Sequence, residues 1–152
     1  AVMLWLLLSL IGVIARLYRW MNTKSREMTW AETLFVYGNF SILLGWITVA
    51  TVANIAQVLT AYGWSGGGLR LETWGIIVLM VAGIVACSVT RLLQGNIPYA
   101  LTVIWAVVAI AVNQFTAAVP THSTYVGISS IIILVAVITT LFIAKEKKLV
   151  TA

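Results

Sequence analysis

Five apolar stretches, each close to the length of a helix that spans a bilayer, make up most of this chain. They cover roughly residues 1–18, 34–61, 74–92, 99–119 and 124–144. About 20 apolar residues suffice to cross the hydrocarbon core as a helix. With 62% hydrophobic and 9% charged residues, the composition is also that of a membrane protein rather than a soluble domain. The sequence therefore predicts an all-α integral membrane bundle of about five helices, with residues 1–152 forming one domain.

A transmembrane β-barrel is the other structure that can satisfy its own backbone within a bilayer. Its strands would appear as stretches of about ten residues with alternating polarity. Residues 131–138 are continuously apolar instead. Helices are therefore favoured, despite the many β-branched residues.

Basic residues indicate how the chain is oriented. They follow the first and third apolar stretches and recur in the tail, as Arg16, Arg19, Lys24, Arg26, Arg91, Lys145, Lys147 and Lys148. The loops on the opposite side carry only Arg70. Because cytoplasmic loops are enriched in Lys and Arg, we expect the N-terminus outside and the C-terminus on the cytoplasmic, stromal or matrix side. The net charge of +5 then reflects topology and contact with anionic lipids, and nucleic acid is not an expected partner.

The first stretch has a rival interpretation as a signal peptide. Its basic residues follow the apolar run, whereas a signal peptide carries them in front. We therefore interpret it as a membrane span of the mature protein. Since the sequence opens at Ala1 directly in apolar residues, we expect either that the chain is processed or that further residues precede Ala1.

Side chains suited to catalysis are few. Cys87 is the single cysteine and lies in the middle of the third stretch, which predicts a packed, inert thiol. The single histidine, His122, cannot form a metal site alone, because such sites need three or four ligands, but its imidazole can ligate a haem or a chlorophyll-like ring. All four acidic residues lie in predicted loops or the tail. We therefore predict no catalytic residues, no metal site and no enzymatic activity.

A pattern of tryptophan, alanine and asparagine at four-residue spacing occurs in two of the apolar stretches. Its members are Trp46, Ala50 and Asn54 in one stretch and Trp105, Ala109 and Asn113 in the other. At 3.6 residues per turn each trio lies on one helix face, together with Asn39 and Gln57 or with Thr102 and Thr116. An unpartnered amide is costly in hydrocarbon, so each asparagine is expected to face the bundle, a ligand or another helix.

Three interpretations of these faces remain open. They can be packing surfaces, on which small residues let helices approach and each amide bond contributes about 0.6–2 kcal/mol. They can instead form a cavity in which Trp46 and Trp105 flank a flat apolar ligand and Asn54 and Asn113 bind its polar edge. The repeat can also be coincidental, since the chain has seven tryptophans.

Residues 37–54, Trp74 and residues 99–106 together resemble the TspO/MBR-related tryptophan-rich sensory proteins, in their divergent branch. Trp46, Asn54 and Trp105 match motif positions of that branch. The resemblance implies a five-helix membrane bundle, often dimeric, that binds porphyrins and other flat hydrophobic molecules. It also implies a role in stress responses or tetrapyrrole regulation.

A different class also fits, namely an accessory subunit of a large photosynthetic or respiratory membrane complex that holds chlorophyll-like pigments or lipids. An antenna protein would carry Glu–Arg pairs within its helices, and the apolar stretches contain no Glu. The expected partners are membrane lipids and either other membrane subunits or a second copy. Across both classes, the residues predicted to bind a tetrapyrrole are Trp46, Asn54, Gln57, Trp105, Asn113 and His122.

Overall fold

The structure is a computed structural model that describes residues 29–63, 67–116 and 123–150, together with Trp5, Ser9, Gly12 and Arg16. Its helices are α1 (Asn39–Ala61), α2 (Leu71–Leu92), α3 (Ile97–Thr116) and α4 (Thr124–Val150). A π-helical segment, Glu32–Gly38, leads directly into α1. No strand occurs in the part of the chain that the structure describes, and the predicted all-α class is confirmed.

Four helices are long and apolar enough to cross a membrane among the residues described. These segments are Phe35–Leu59, Glu72–Leu92, Ile97–Thr116 and Thr124–Glu146, and they agree with the predicted stretches to within about three residues. The predicted span over residues 1–18 lies outside the described residues, except for four helical, exposed positions. The described residues therefore contain four candidate membrane-spanning helices, where about five were expected for the whole chain.

Helices α1 and α3 run parallel and pack closely. Ser41 lies beside Asn96 near the start of both helices, and Trp46 lies beside Trp105 further along both helices. Between these pairs is Gly45, where an added Cβ atom would lie only 2.7 Å from the Cβ atom of Thr102. The absence of a side chain at this position lets the two backbones approach, as small residues commonly do in membrane bundles.

Helices α2 and α4 form a second parallel pair. Gly83 lies against Ile133, and Gly95, just beyond α2, lies against Lys145. Each pair packs on the other, because α1 contacts α2 and α3 while α4 contacts the same two helices. The bundle therefore consists of two parallel pairs that run in opposite directions.

Buried polar side chains join α1 to the start of α3. The Asn96 side chain donates from Nδ2 to Ser41 Oγ at 2.7 Å and accepts from the backbone N–H of Tyr99 at 3.1 Å. Tyr99 in turn donates from its hydroxyl to Thr48 Oγ1 at 3.4 Å. Asn96 therefore satisfies a free N–H at the start of α3 and holds that end against α1.

The connection between α2 and α3 is a tight turn. Gln94 and Gly95 have left-handed backbone conformations, with φ of 48° and 75°. The Gly95 N–H donates to the Thr90 carbonyl and the Gln94 N–H to the Arg91 carbonyl, both at 3.0 Å. This pair of bonds is the Schellman arrangement that ends many helices. The turn lies between the predicted apolar stretches 74–92 and 99–119, as the sequence indicated.

Charged side chains lie at the two ends of the bundle. Arg91 is in the last turn of α2, and Lys145 lies at the same end because it packs against Gly95. Arg70 and Glu72 lie at the other end and form an ion pair at 3.6 Å. The predicted grouping of Arg91 with the basic tail agrees with this arrangement. Which compartment each end faces stays a prediction.

Replacing Gly45 with alanine is expected to destabilise the bundle by about 1–3 kcal/mol, because the new Cβ atom would overlap Thr102. Gly75→Ala is the matched control, since its Cβ atom would lie 3.6 Å from the nearest atom, on Val126. We expect that control to be neutral or stabilising by up to about 1 kcal/mol. Free energies of unfolding in mixed detergent micelles test this, and equal values for both variants would contradict the α1–α3 contact.

Replacing Asn96 with alanine should cost about 1–3 kcal/mol, since both the helix cap and the bond to Ser41 are lost. Asn39→Ala removes an exposed amide that donates only to the Phe35 carbonyl of its own helix, at 2.9 Å. That control should change stability by less than about 0.5 kcal/mol. The same unfolding measurement applies, and a cost at Asn39 that matched the cost at Asn96 would refute the joining role.

Candidate functional site

The two tryptophans of the repeated pattern meet on the outside of the bundle. The ring centroids of Trp46 and Trp105 are 5.3 Å apart, and the rings are inclined at 62°, which is an edge-to-face contact. This contact forms because α1 and α3 are parallel and adjacent. Trp46 remains 47% exposed and Trp105 60% exposed. The pair therefore presents aromatic surface outward from the described bundle.

The asparagines of the pattern lie two turns beyond this pair on the same helices. Eight residues of helix correspond to about 12 Å. Asn54 is half-buried, and its Nδ2 atom donates to the Ala50 carbonyl at 2.8 Å, within its own helix. Asn113 is exposed, and its side chain forms no hydrogen bond with the residues that the structure describes.

The remaining predicted site residues are not brought together. Gln57 is exposed near the end of α1, on the stripe that carries Trp46. His122 lies outside the described residues, so its prediction is not tested. No group of three His, Cys, Asp or Glu side chains that could hold a metal ion occurs in the described ranges.

The packing face of α1 lies nearly opposite the predicted stripe. Its buried residues recur at helical spacing, as Ser41, Leu44, Gly45, Thr48 and Thr51. At about 100° per residue, the middle of this set is roughly half a turn away from the Trp46–Asn54 stripe. The stripe is therefore free of the core, apart from the contact between the two tryptophans.

Sequence reasoning missed the polar side chains that are actually buried. Ser41 and Thr48 bond both to their own helix and to α3, as donors to carbonyl oxygens four residues earlier and as acceptors from Asn96 and Tyr99. Thr51 is only 3% exposed, and its hydroxyl has no partner in the part of the chain described. The regular spacing of small hydroxyl residues and glycine was the signal for this face. The bulkier Trp and Asn residues were more conspicuous in the sequence.

A second feature is an open groove of about 340 Å³ between α2 and α4. It is lined by side chains of residues 80–91 on α2 and 132–140 on α4, and we refer to it as the α2–α4 groove. The lining is largely apolar, and Arg91 lies at one end of the groove. Cys87, the free cysteine, is part of the lining and is partly exposed.

Four apolar helices of spanning length among the described residues, with a tight turn between α2 and α3 and polar contacts between α1 and α3, define a multi-pass integral membrane protein. Over residues 1–145 the sequence matches the family model described as TSPO-like protein. The chain belongs to the TSPO-like family, and it is a membrane protein of the TspO kind. No curated protein and no solved structure matches it.

The contact between Trp46 and Trp105 should be measurable as a coupling energy. We expect a double-mutant cycle with Trp46→Leu, Trp105→Leu and the double variant to give about 0.5–1.5 kcal/mol, the range for edge-to-face aromatic pairs. Unfolding in mixed micelles supplies the four free energies. A coupling of zero would mean that the two rings do not touch in the folded protein.

Proposed function

We propose that this protein is a non-enzymatic membrane protein that binds a flat hydrophobic ligand of the porphyrin or tetrapyrrole class on the Trp46–Trp105 face. The observation that carries the proposal is the meeting of these two rings from different helices, with both still about half exposed. Membership of the TSPO-like family supports it, because resemblance to the tryptophan-rich sensory proteins implies porphyrin binding.

The chemistry of the face suits such a ligand. Aromatic rings stack on or meet the edge of other π-systems with centroids about 4.5–7 Å apart. Around the pair, the exposed side chains of α1 and α3 are apolar, including Leu43, Leu101 and Val108. A planar macrocycle lying here would contact both tryptophan rings and the apolar side chains around them.

Polar groups are available where the edge of that ligand would lie. One donor hydrogen of the Asn54 amide is used by Ala50, which leaves a second N–H and the carbonyl oxygen. On α3, Asn113 keeps all its donors and acceptors free of the described residues. The distance of about 12 Å from tryptophan to asparagine is comparable with the width of a four-pyrrole ring. Propionate groups at the ligand edge would then accept from these amides.

Titration of the detergent-purified full chain with protoporphyrin IX tests the proposal. Absorbance of the porphyrin is the readout, because replacing a tryptophan alters protein fluorescence regardless of binding. We expect Trp46→Leu and Trp105→Leu each to raise the Kd about threefold to tenfold, through the loss of one aromatic contact.

Trp30→Leu is the control for this titration. Trp30 lies near the end of the bundle and is more exposed than either member of the pair. Its ring centroid is 6.5 Å from that of Phe35. Its replacement should leave the Kd unchanged. Equal losses in all three variants would indicate partition into the micelle around any tryptophan, and would refute a site at the pair.

The accessory-subunit alternative makes a different prediction for the same preparation. Extracted gently from its native membrane, a stand-alone binding protein elutes as a small particle and takes up added porphyrin. A subunit instead elutes with a large pigmented or redox-active assembly. Elution with such an assembly, together with no porphyrin uptake by the isolated chain, would overturn the proposal.

A further inference from the structure

The α2–α4 groove has a length that matches one leaflet of a bilayer. Its lining on α2 begins at Met80 and ends at Arg91, which corresponds to about 16 Å of helix. A hydrocarbon core is about 30 Å thick, so each leaflet contributes about half of that. Since Arg91 is in the last turn of α2, a bundle that spans a bilayer would place the groove between the membrane surface and the middle of the bilayer.

The inner part of the groove is shaped by a glycine, which has no side chain. Gly83 lies against Ile133, and a Cβ atom there would be 3.0 Å from two atoms of that side chain. Ala136 also contributes only a methyl group to the wall. Exposed Met80, Ile84 and Ile132 form the apolar sides. The volume of about 340 Å³ is within the range of small-molecule sites, about 300–1,000 Å³.

The outer end of the groove is polar and positively charged. Arg91 is exposed and forms no ion pair with any residue in the described ranges. Thr140 lies at the same level on α4, as the Gly83–Ile133 and Gly95–Lys145 contacts indicate. Thr140 is only 6% exposed and lines the groove, yet its hydroxyl has no hydrogen-bond partner among the described side chains. A cation and a hydroxyl therefore line the same end of the groove.

We propose that the α2–α4 groove binds one anionic phospholipid, with its phosphate at Arg91 and an acyl chain lying along Gly83 toward Met80. The guanidinium group donates paired hydrogen bonds to phosphate oxygens, and Thr140 can donate another. The apolar lining suits a hydrocarbon chain of one leaflet. This assignment is independent of the porphyrin site, which lies on α1 and α3.

Charge favours this occupant over a second copy of the chain. In a symmetric dimer formed through this groove, the two Arg91 side chains would approach each other at the same level of the bundle. Like charges brought together in this way oppose association. An anionic headgroup, by contrast, would pair with the Arg91 cation. Anionic lipids are also concentrated in the leaflet that Arg91 is predicted to face.

Native mass spectrometry of the full chain, stripped of lipid in detergent and then mixed with phosphatidylglycerol or phosphatidylcholine, tests the proposal. The wild type should retain phosphatidylglycerol in preference to phosphatidylcholine. Arg91→Gln should lower phosphatidylglycerol retention about fivefold, the effect of one basic residue at a membrane surface. Ala136→Phe fills the groove without changing charge, and should lower phosphatidylglycerol retention as well.

Arg70→Gln is the matched control, because it removes the same charge from the opposite end of the bundle. Arg70 pairs with Glu72, so we expect its replacement to leave lipid retention unchanged. Equal losses from Arg70→Gln and Arg91→Gln would indicate a general charge effect and overturn the site. Equal retention of the two lipids by the wild type would overturn the role of the phosphate.

The single cysteine provides a test that distinguishes a bound lipid from a second copy of the chain in the groove. Cys87 lines the groove, so a dimer formed through it would bring two Cys87 thiols close together. Oxidation with copper phenanthroline in detergent micelles that contain phosphatidylglycerol should therefore leave the chain monomeric on a non-reducing gel. A disulfide-linked dimer under these conditions would show that another chain occupies the groove, and would refute the lipid assignment.

Discussion

The contact between Asn96 and Ser41, together with the glycine beside it, is the interaction on which the arrangement of this bundle rests. Between lipid-exposed helices the hydrophobic effect contributes little, because lipid tails are as apolar as the side chains. Close backbone approach and buried hydrogen bonds must then select one packing. Gly45 supplies the approach, and Asn96 supplies a bond of 2.7 Å across the interface. Because Asn96 also caps α3, the start of one helix and its position against another are set by the same side chain.

Each of the two surfaces to which we assign binding follows from one parallel pair of helices. The parallel α1–α3 contact brings Trp46 and Trp105 to the same level and leaves their rings facing outward. The parallel α2–α4 contact leaves a groove beside Gly83, and this groove extends along about half of α2. One surface offers aromatic rings and amides, and the other offers a hydrocarbon channel that ends in a cation. The two are suited to different ligands and lie on different helices.

Helix positions could be predicted well because membrane insertion depends on local sequence. An apolar run of sufficient length must form a helix in hydrocarbon, and its ends follow from glycine, proline and charge, as they do at residues 95–98. It was harder to predict which face of each helix packs inside the bundle. Trp46 and Asn54 were expected at packing or ligand surfaces, whereas the buried side of α1 carries Ser41 and Thr48. In a helix that is apolar all round, no difference between a water face and a core face marks the buried side.

The amino-acid sequence alone was enough to establish an all-α membrane protein, the bounds of its described spans, the charged ends of the bundle and the resemblance to its family. Each of these properties depends on the hydropathy, charge or identity of residues close together in the chain. The meeting of Trp46 with Trp105, the capping bond of Asn96 to Ser41 and the groove at Arg91 became visible only in the folded bundle. They depend on which helices are neighbours and on their relative rotation. In a bilayer, a few small side chains and hydrogen bonds determine which helices are neighbours and how they are rotated. Hydropathy depends on neither of these properties.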